Sequence, residues 1–147
     1  MKKIILFLLL LSFISCEINN EAENKLETLS HENGLTINIR KNVNKFKKIE
    51  TGFKINFSSD DSRAINELEI KKTDSSPNDL SSYETKTING VDYFSKLETV
   101  NEGSGGSEHT FRIWKSTQKG GILLEHYIQQ DLKPIFDQDW EIIQSAN

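Results

Sequence analysis

Few side chains in this sequence could do chemistry. There is one cysteine, Cys16, and three histidines, His31, His109 and His126. His109 and His126 fall in two apolar-alternating segments that read as neighbouring strands. Side by side with a carboxylate they could bind zinc, but the plainer reading is two polar positions on a sheet face. No serine stands in a Gly-x-Ser-x-Gly elbow and no His-Glu-x-x-His occurs. Gly103-Ser104-Gly105-Gly106-Ser107 looks like a phosphate cradle, but no Lys-Ser/Thr follows it and Glu102 and Glu108 flank it, so it would repel phosphate. Asp60 and Asp61 are adjacent carboxylates without calcium-loop spacing. This inventory points away from catalysis and predicts no enzyme and no resident cofactor.

Cys16 has a more specific context. Met1-Lys2-Lys3 precedes an apolar run from Ile4 to Ile14, too short to span a bilayer, and Ser15 precedes the cysteine. Residues 1–15 read as a cleaved signal. Leu11-Ser12-Phe13-Ile14-Ser15-Cys16 resembles the lipobox of bacterial lipoproteins, with Phe13 where Leu is usual. The resemblance implies that the Cys16 thiol carries acyl chains, palmitate among them, and becomes the first residue of the mature chain. An acylated Cys16 leaves no thiol for a disulfide, a metal or a nucleophile, and acyl chains hold a domain on a membrane without crossing it. Glu17 stands where inner-membrane lipoproteins of enteric bacteria carry Asp, which favours the outer membrane, facing the periplasm.

A chain starting at Cys16 suffices for a single core. Without Lys2 and Lys3 it is two charges more acidic than the formal −4 of the full sequence. Such a balance disfavours nucleic acid and suits a basic partner. Residues 16–33 are polar and acidic and read as a tether, with a helical turn around Lys25–Ser30.

From residue 34 to residue 147 the pattern is that of one domain. Leu35 to Ile39 alternates strictly, Phe53, Ile55 and Phe57 share a face, and Ala64, Asn66, Leu68 and Ile70 share another. Asn89-Gly90 joins Tyr83–Ile88 to Val91–Val100 and predicts a tight hairpin, because both turn positions need positive φ. Glu108–Ser116 and Ile122–Gln129 form a second pair. After Pro134, Phe136, Trp140 and Ile143 recur at helical spacing, with Asp137, Asp139 and Glu141 on other faces. The expected fold is α+β, an antiparallel sheet flanked by helices. Phe53, Phe57, Leu68, Trp114, Leu124 and Trp140 are expected between sheet and helix.

The acidic, glycine-bearing loops are the candidate contact sites. Glu102, Gly103, Ser104, Gly105, Gly106 and Glu108, helped by Asp60 and Asp61, combine close backbone approach with carboxylates. Glu102 to Lys115 resembles the glycine-rich loop and following strand of immunity lipoproteins that protect bacteria from a peptidoglycan-cleaving muramidase delivered by type VI secretion. Leu35 through Phe46, Thr51–Ile55 and the hairpin Ile88–Tyr93 are similar to their opening strand, connection, second strand and central hairpin. The resemblance implies a PsbP-like fold and a periplasmic glycan-hydrolase toxin as partner. It also implies inhibition by loops entering the substrate groove, with calcium possible at the toxin interface. The alternative is a structural or ligand-carrying envelope lipoprotein with no inhibitor activity.

Anchoring is directly testable. Cys16→Ser should abolish metabolic lipid labelling and release the protein from the membrane fraction. A labelled, membrane-bound variant would refute acylation at this residue.

Overall fold

A computed structural model describes residues 25–40, 45–57, 65–101, 106–129 and 136–147. Leu26–Ser30 (β1) and Thr36–Arg40 (β2) form an antiparallel hairpin. Seven further strands follow: Lys45–Ile49 (β3), Gly52–Asn56 (β4), Asn66–Thr73 (β5), Glu84–Ile88 (β6), Val91–Asn101 (β7), Ser107–Thr117 (β8) and Gly120–Gln129 (β9). They make one antiparallel sheet in the order β3-β4-β5-β9-β8-β7-β6. A 3-10 turn, Leu80–Ser82, and a helix, Asp137–Ser145 (α1), complete the described elements.

The alternation legible in the sequence sorts the sheet into two faces. Phe53, Ile55, Leu68, Ile70, Ile113, Ile122 and Leu124 point to one face and are fully buried there. Leu29, Leu35, Ile37 and Ile39 of the hairpin and Ile142, Ile143 and Ala146 at α1 cover them. Each such aliphatic is worth about 1.5–3 kcal/mol on burial. The layers are therefore sheet against hairpin plus helix. Asn89 (φ 52°) and Gly90 (φ 77°) form the Ile88–Val91 turn, both in the left-handed region the Asn-Gly pair requires.

Several expectations change. Lys25–Ser30 is not a helical turn: Leu26–Ser30 is β1, and Leu29 is buried in the core. Residues 26–31, read as tether, are part of the fold. His31 Nε2 donates to the Ile49 carbonyl (2.8 Å), and its ring packs perpendicular to that of Phe53. Residues 45–49, read within a connection, form an edge strand, which lysine-rich sequence tolerates because its side chains are exposed. Among the described residues, the sheet is covered on one face by a hairpin and one helix, so the architecture is a sheet-rich α+β fold with few flanking helices. Trp114 is buried, but on the face opposite α1. Phe57 and Trp140 are half-buried. Ala64 and Pro134 lie outside the described residues.

The helix corrects a further reading. Its buried stripe is Asp139, Ile142, Ile143 and Ala146, so Asp139 faces the core and is fully buried. His126 Nδ1 of β9 donates to Asp139 Oδ2 (2.8 Å), and His126 Nε2 lies 2.6 Å from Asn66 Oδ1 of β5. At the far end, Lys115 of β8 reaches from the core face to the carbonyls of Ala146 and Gln144. Arg40 of β2 pairs with Glu141 at the exposed margin (3.1 Å). Asn38 N–H donates to Ser145 Oγ (2.9 Å), and Thr36 and Asn147 exchange backbone bonds.

Removing one member of the buried pair strands the other. Asp139→Ala and His126→Ala should each destabilise by at least about 1–3 kcal/mol. The double variant should cost less than their sum by about 0.5–3 kcal/mol. Urea unfolding of all four proteins measures this, and strict additivity would mean that the pair contributes no coupling. Trp140→Ala, which removes ring contacts with Tyr93 and Phe111, should lower Tm by several degrees. A shift of only a degree or two would mean that the indole does not help dock α1.

Candidate functional site

The register fixes which connections share an end of the sheet. Lys45 is opposite Asn56, Asn56 opposite Glu67, Asn66 opposite Ile128, Glu108 opposite Gln129, and Asn101 opposite Ser107. These pairs all lie at one end. The connections comprising residues 41–44, 58–64, 102–105 and 130–135 therefore leave from that end. The tight turns at Glu50-Thr51, Asn89-Gly90 and Gln118-Lys119 are at the other.

Asp60 and Asp61 lie in the β4–β5 connection, and Glu102, Gly103, Ser104 and Gly105 in the β7–β8 hairpin. Topology brings the two connections to the same end, with β5 and β8 two strand spacings apart, roughly 10 Å. These six residues, and Cys16, lie outside the described residues. Gly106 and Glu108 are described. Beside Gly106, Ser107 Oγ donates to Asn101 Oδ1 (3.1 Å) and closes the hairpin base. Glu108 is within β8, between Val100 and Gln129, on the face opposite α1. The two histidines on neighbouring strands do share a face, but each is engaged. His109 Nδ1 meets Thr99 Oγ1 (3.0 Å) on β7, and His126 is locked to Asp139 and Asn66. Burial outweighs the His126 contact and holds the Asp139 carboxyl above its usual range. Among the described residues no three metal-ligating side chains converge.

The face opposite α1 carries an ion-pair network. Arg112 of β8 lies between Glu98 of β7 and Glu125 of β9 (Nε–Oε2 2.5 Å), and Lys96 adds a second cation to Glu98 (3.0 Å). Hydrogen bonds from Lys96 and Arg112 lower the Glu98 carboxyl. Burial works against the Arg112 charge, but its two carboxylates outweigh that and raise it. With its guanidinium committed to two glutamates, Arg112 is no anion receptor. Below it, the connection from β5 to β6 crosses this face, and Ser75, Ser76, Pro77 and Tyr83 line an open cleft of about 270 Å³ with Trp114 and Leu123. That crossing explains the burial of Trp114. The indole sits over Gly121, where any Cβ would come within 2.3 Å of Nε1.

Asp139, Lys115 and the ion-pair network across the opposite face escaped the sequence reading. Asp139 stood on the stripe 139, 142, 143, 146 that helical spacing defines, and Lys115 followed Phe111 and Ile113 in alternation. Both signals were present in the sequence, masked by residue type. The Glu98–Arg112–Glu125 network has no local signal, because it depends on register across three strands.

No curated protein matches this chain. A crystal structure of a Bacteroides thetaiotaomicron VPI-5482 protein is similar in fold, with 16% identity and a TM-score of 0.55. The alignment covers 85% of this chain and 48% of that one, so the chain spans about half the length of that relative. Residues 37–147 match the type six secretion immunity 3 domain, Tsi3, from within β2 through α1. The match covers most of the sequence, and the chain belongs to the Tsi3 family of type VI secretion immunity domains.

Proposed function

We propose that this immunity protein is lipid-anchored through Cys16 in the outer membrane, facing the periplasm. There it neutralises a peptidoglycan-cleaving toxin by entering the toxin's substrate groove with the loop-bearing end of its sheet. The observation that carries this reading is the match over residues 37–147 to an immunity domain. That family membership is joined to a topology in which the glycine-rich hairpin and the Asp60-Asp61 connection leave from one end. The signal-like start ending at Cys16 supports the placement. A PsbP-like form of the fold belongs to the same reading.

The chemistry is complementary to a glycan groove. Glycan hydrolases must expose a cleft long enough for a polymer strand, and a hairpin tip rich in glycine can follow its floor closely. The carboxylates Asp60, Asp61, Glu102 and Glu108 can meet basic groups, or calcium held by the toxin. The chain from Cys16 onward, two charges more acidic than the formal −4 of the full sequence, is steered towards such a cleft if it is positive.

The test is co-expression in the periplasm with the toxin encoded beside this gene. Wild type should protect cells from lysis. Glu102→Lys/Glu108→Lys should fold but weaken toxin binding by 10-fold or more, as close interfacial charge pairs are worth about 1.5–7 kcal/mol. Equal protection by the double variant would move the contact off this hairpin. Lysis with wild type present would overturn the toxin assignment.

A further inference from the structure

The two outer edges of the large sheet are built differently. β3 presents Lys45, Lys47 and Lys48, all exposed, which is how edge strands are kept from pairing with other chains. At the other side, β6 covers only part of its neighbour. Glu84–Ile88 pairs with Val91–Ser95, while β7 runs on to Asn101. Among the described residues no strand lies beside Lys96–Asn101 on that side. Before Glu84 the chain is Tyr83 and the 3-10 turn Leu80–Ser82, which do not extend the backbone ladder with β7.

The direction of the free backbone groups follows from the ladder. Ile88 and Val91 flank a two-residue turn and so exchange backbone hydrogen bonds. Tyr93 and Ser95 repeat that orientation at every second residue. Continuing the alternation, the N–H and C=O groups of Leu97, Thr99 and Asn101 face the open side, while those of Glu98 and Val100 face β8. The side chains do not guard this edge. Lys96 is held by Glu98 and lies over the Tyr83 ring, and Thr99 is bonded to His109. Leu97 and Val100 are about half exposed or more, at 49% and 60%. Beside the edge is a cleft of about 440 Å³, lined by Ser82, Glu84, Ser95, Lys96, Leu97 and Phe111.

We propose that the edge of β7 that no described strand covers, Lys96–Asn101, accepts an extended segment of the cognate toxin as an added strand. The incoming segment takes the line that β6 vacates. It bonds to Leu97, Thr99 and Asn101 and places an apolar side chain in the cleft over Leu97 and Phe111. This mode combines main-chain bonds for affinity with a pocket for alternate side chains. The inference rests on the immunity reading, because a toxin is the partner that reading supplies. A second copy of the chain fits less well. Pairing confined to six residues spans about 20 Å and buries on the order of 200 Å² per side, against about 800 Å² per partner in a stable interface. A toxin seated on the adjoining loop-bearing end supplies the remaining area.

The experiment is residue-resolved amide hydrogen exchange by NMR on the full chain, alone and with the toxin from the neighbouring gene. Alone, the amides of Leu97, Thr99 and Asn101 should exchange on the order of 100-fold faster than those of Glu98 and Val100. With toxin, all five should be protected alike. In parallel, Thr99→Pro removes one outward donor, which an edge strand tolerates, and should weaken toxin binding at least 10-fold. Thr99→Val, which loses the same His109 bond but keeps its N–H, should not. Toxin binding that leaves the Leu97, Thr99 and Asn101 amides unchanged would overturn strand addition and leave the immunity reading intact. Failure of the toxin to bind at all would overturn both. Concentration-dependent protection without toxin would assign the edge to a second copy and overturn the proposal.

Discussion

Asp139 stands in the first turn of α1, where the positive end of the helix dipole favours a carboxylate, and His126 of β9 meets it across the interface. Lys115 of β8 meets the opposite end, where the last carbonyls are unsatisfied. The sheet thus offers an imidazole to one end of the helix and an ammonium to the other. Apolar contact alone would let a short amphipathic helix slide or rotate over a flat face. Two polar contacts about a helix length apart fix its position and its direction. Burial disfavours the charge on both Asp139 and Lys115, lifting one and lowering the other. What the arrangement contributes is therefore placement more than gross stability, in line with the modest net worth of buried charges.

With α1 fixed, the β1–β2 hairpin has something to lean on. Ser145 and Asn147 bond to β2, and Arg40 closes the outer margin. Asn33 Nδ2 donates to the Thr51 carbonyl (2.8 Å) and ties the hairpin to the β3–β4 turn. The second layer is stitched to the sheet at its ends and filled with aliphatics between. The face opposite α1 is managed in another way. A charged network spans its centre, and the crossing connection seals Trp114 at its lower end.

Much of this was legible. Strict alternation located β2 and β4 and gave their buried faces, because a strand half in a core must alternate. Asn89-Gly90 located a turn through its steric demands. What failed did so for definable reasons. β1 carries a single buried residue, Leu29, and a strand held by one anchor has too little periodicity to be seen. β3 is an edge strand, so solvation selects its side chains and packing does not. Asp139 and Lys115 were passed over because charged residues are rarely buried, although their spacing placed them on the core face. Trp114 has the wrong parity for the helix face, and nothing local to it foretells that residues 74–83 will cover it. Of the proposed contact residues, the sequence identified composition, and only the strand order showed that the two acidic connections leave from one end.

The division of connections between the two ends of the sheet bears on how this protein can change over time. The turns at Asn89-Gly90 and Gln118-Lys119 are short and demand particular residues, and a one-residue insertion there would shift a strand by one register and turn its core side chains outward. The connections at the other end are longer than two residues, so their length is not tied to one tight turn geometry. Lengthening a flexible loop costs little, about 0.6 kcal/mol for each doubling. Selection by an altered adversary can therefore rewrite one end of the molecule repeatedly while the other keeps every strand in step.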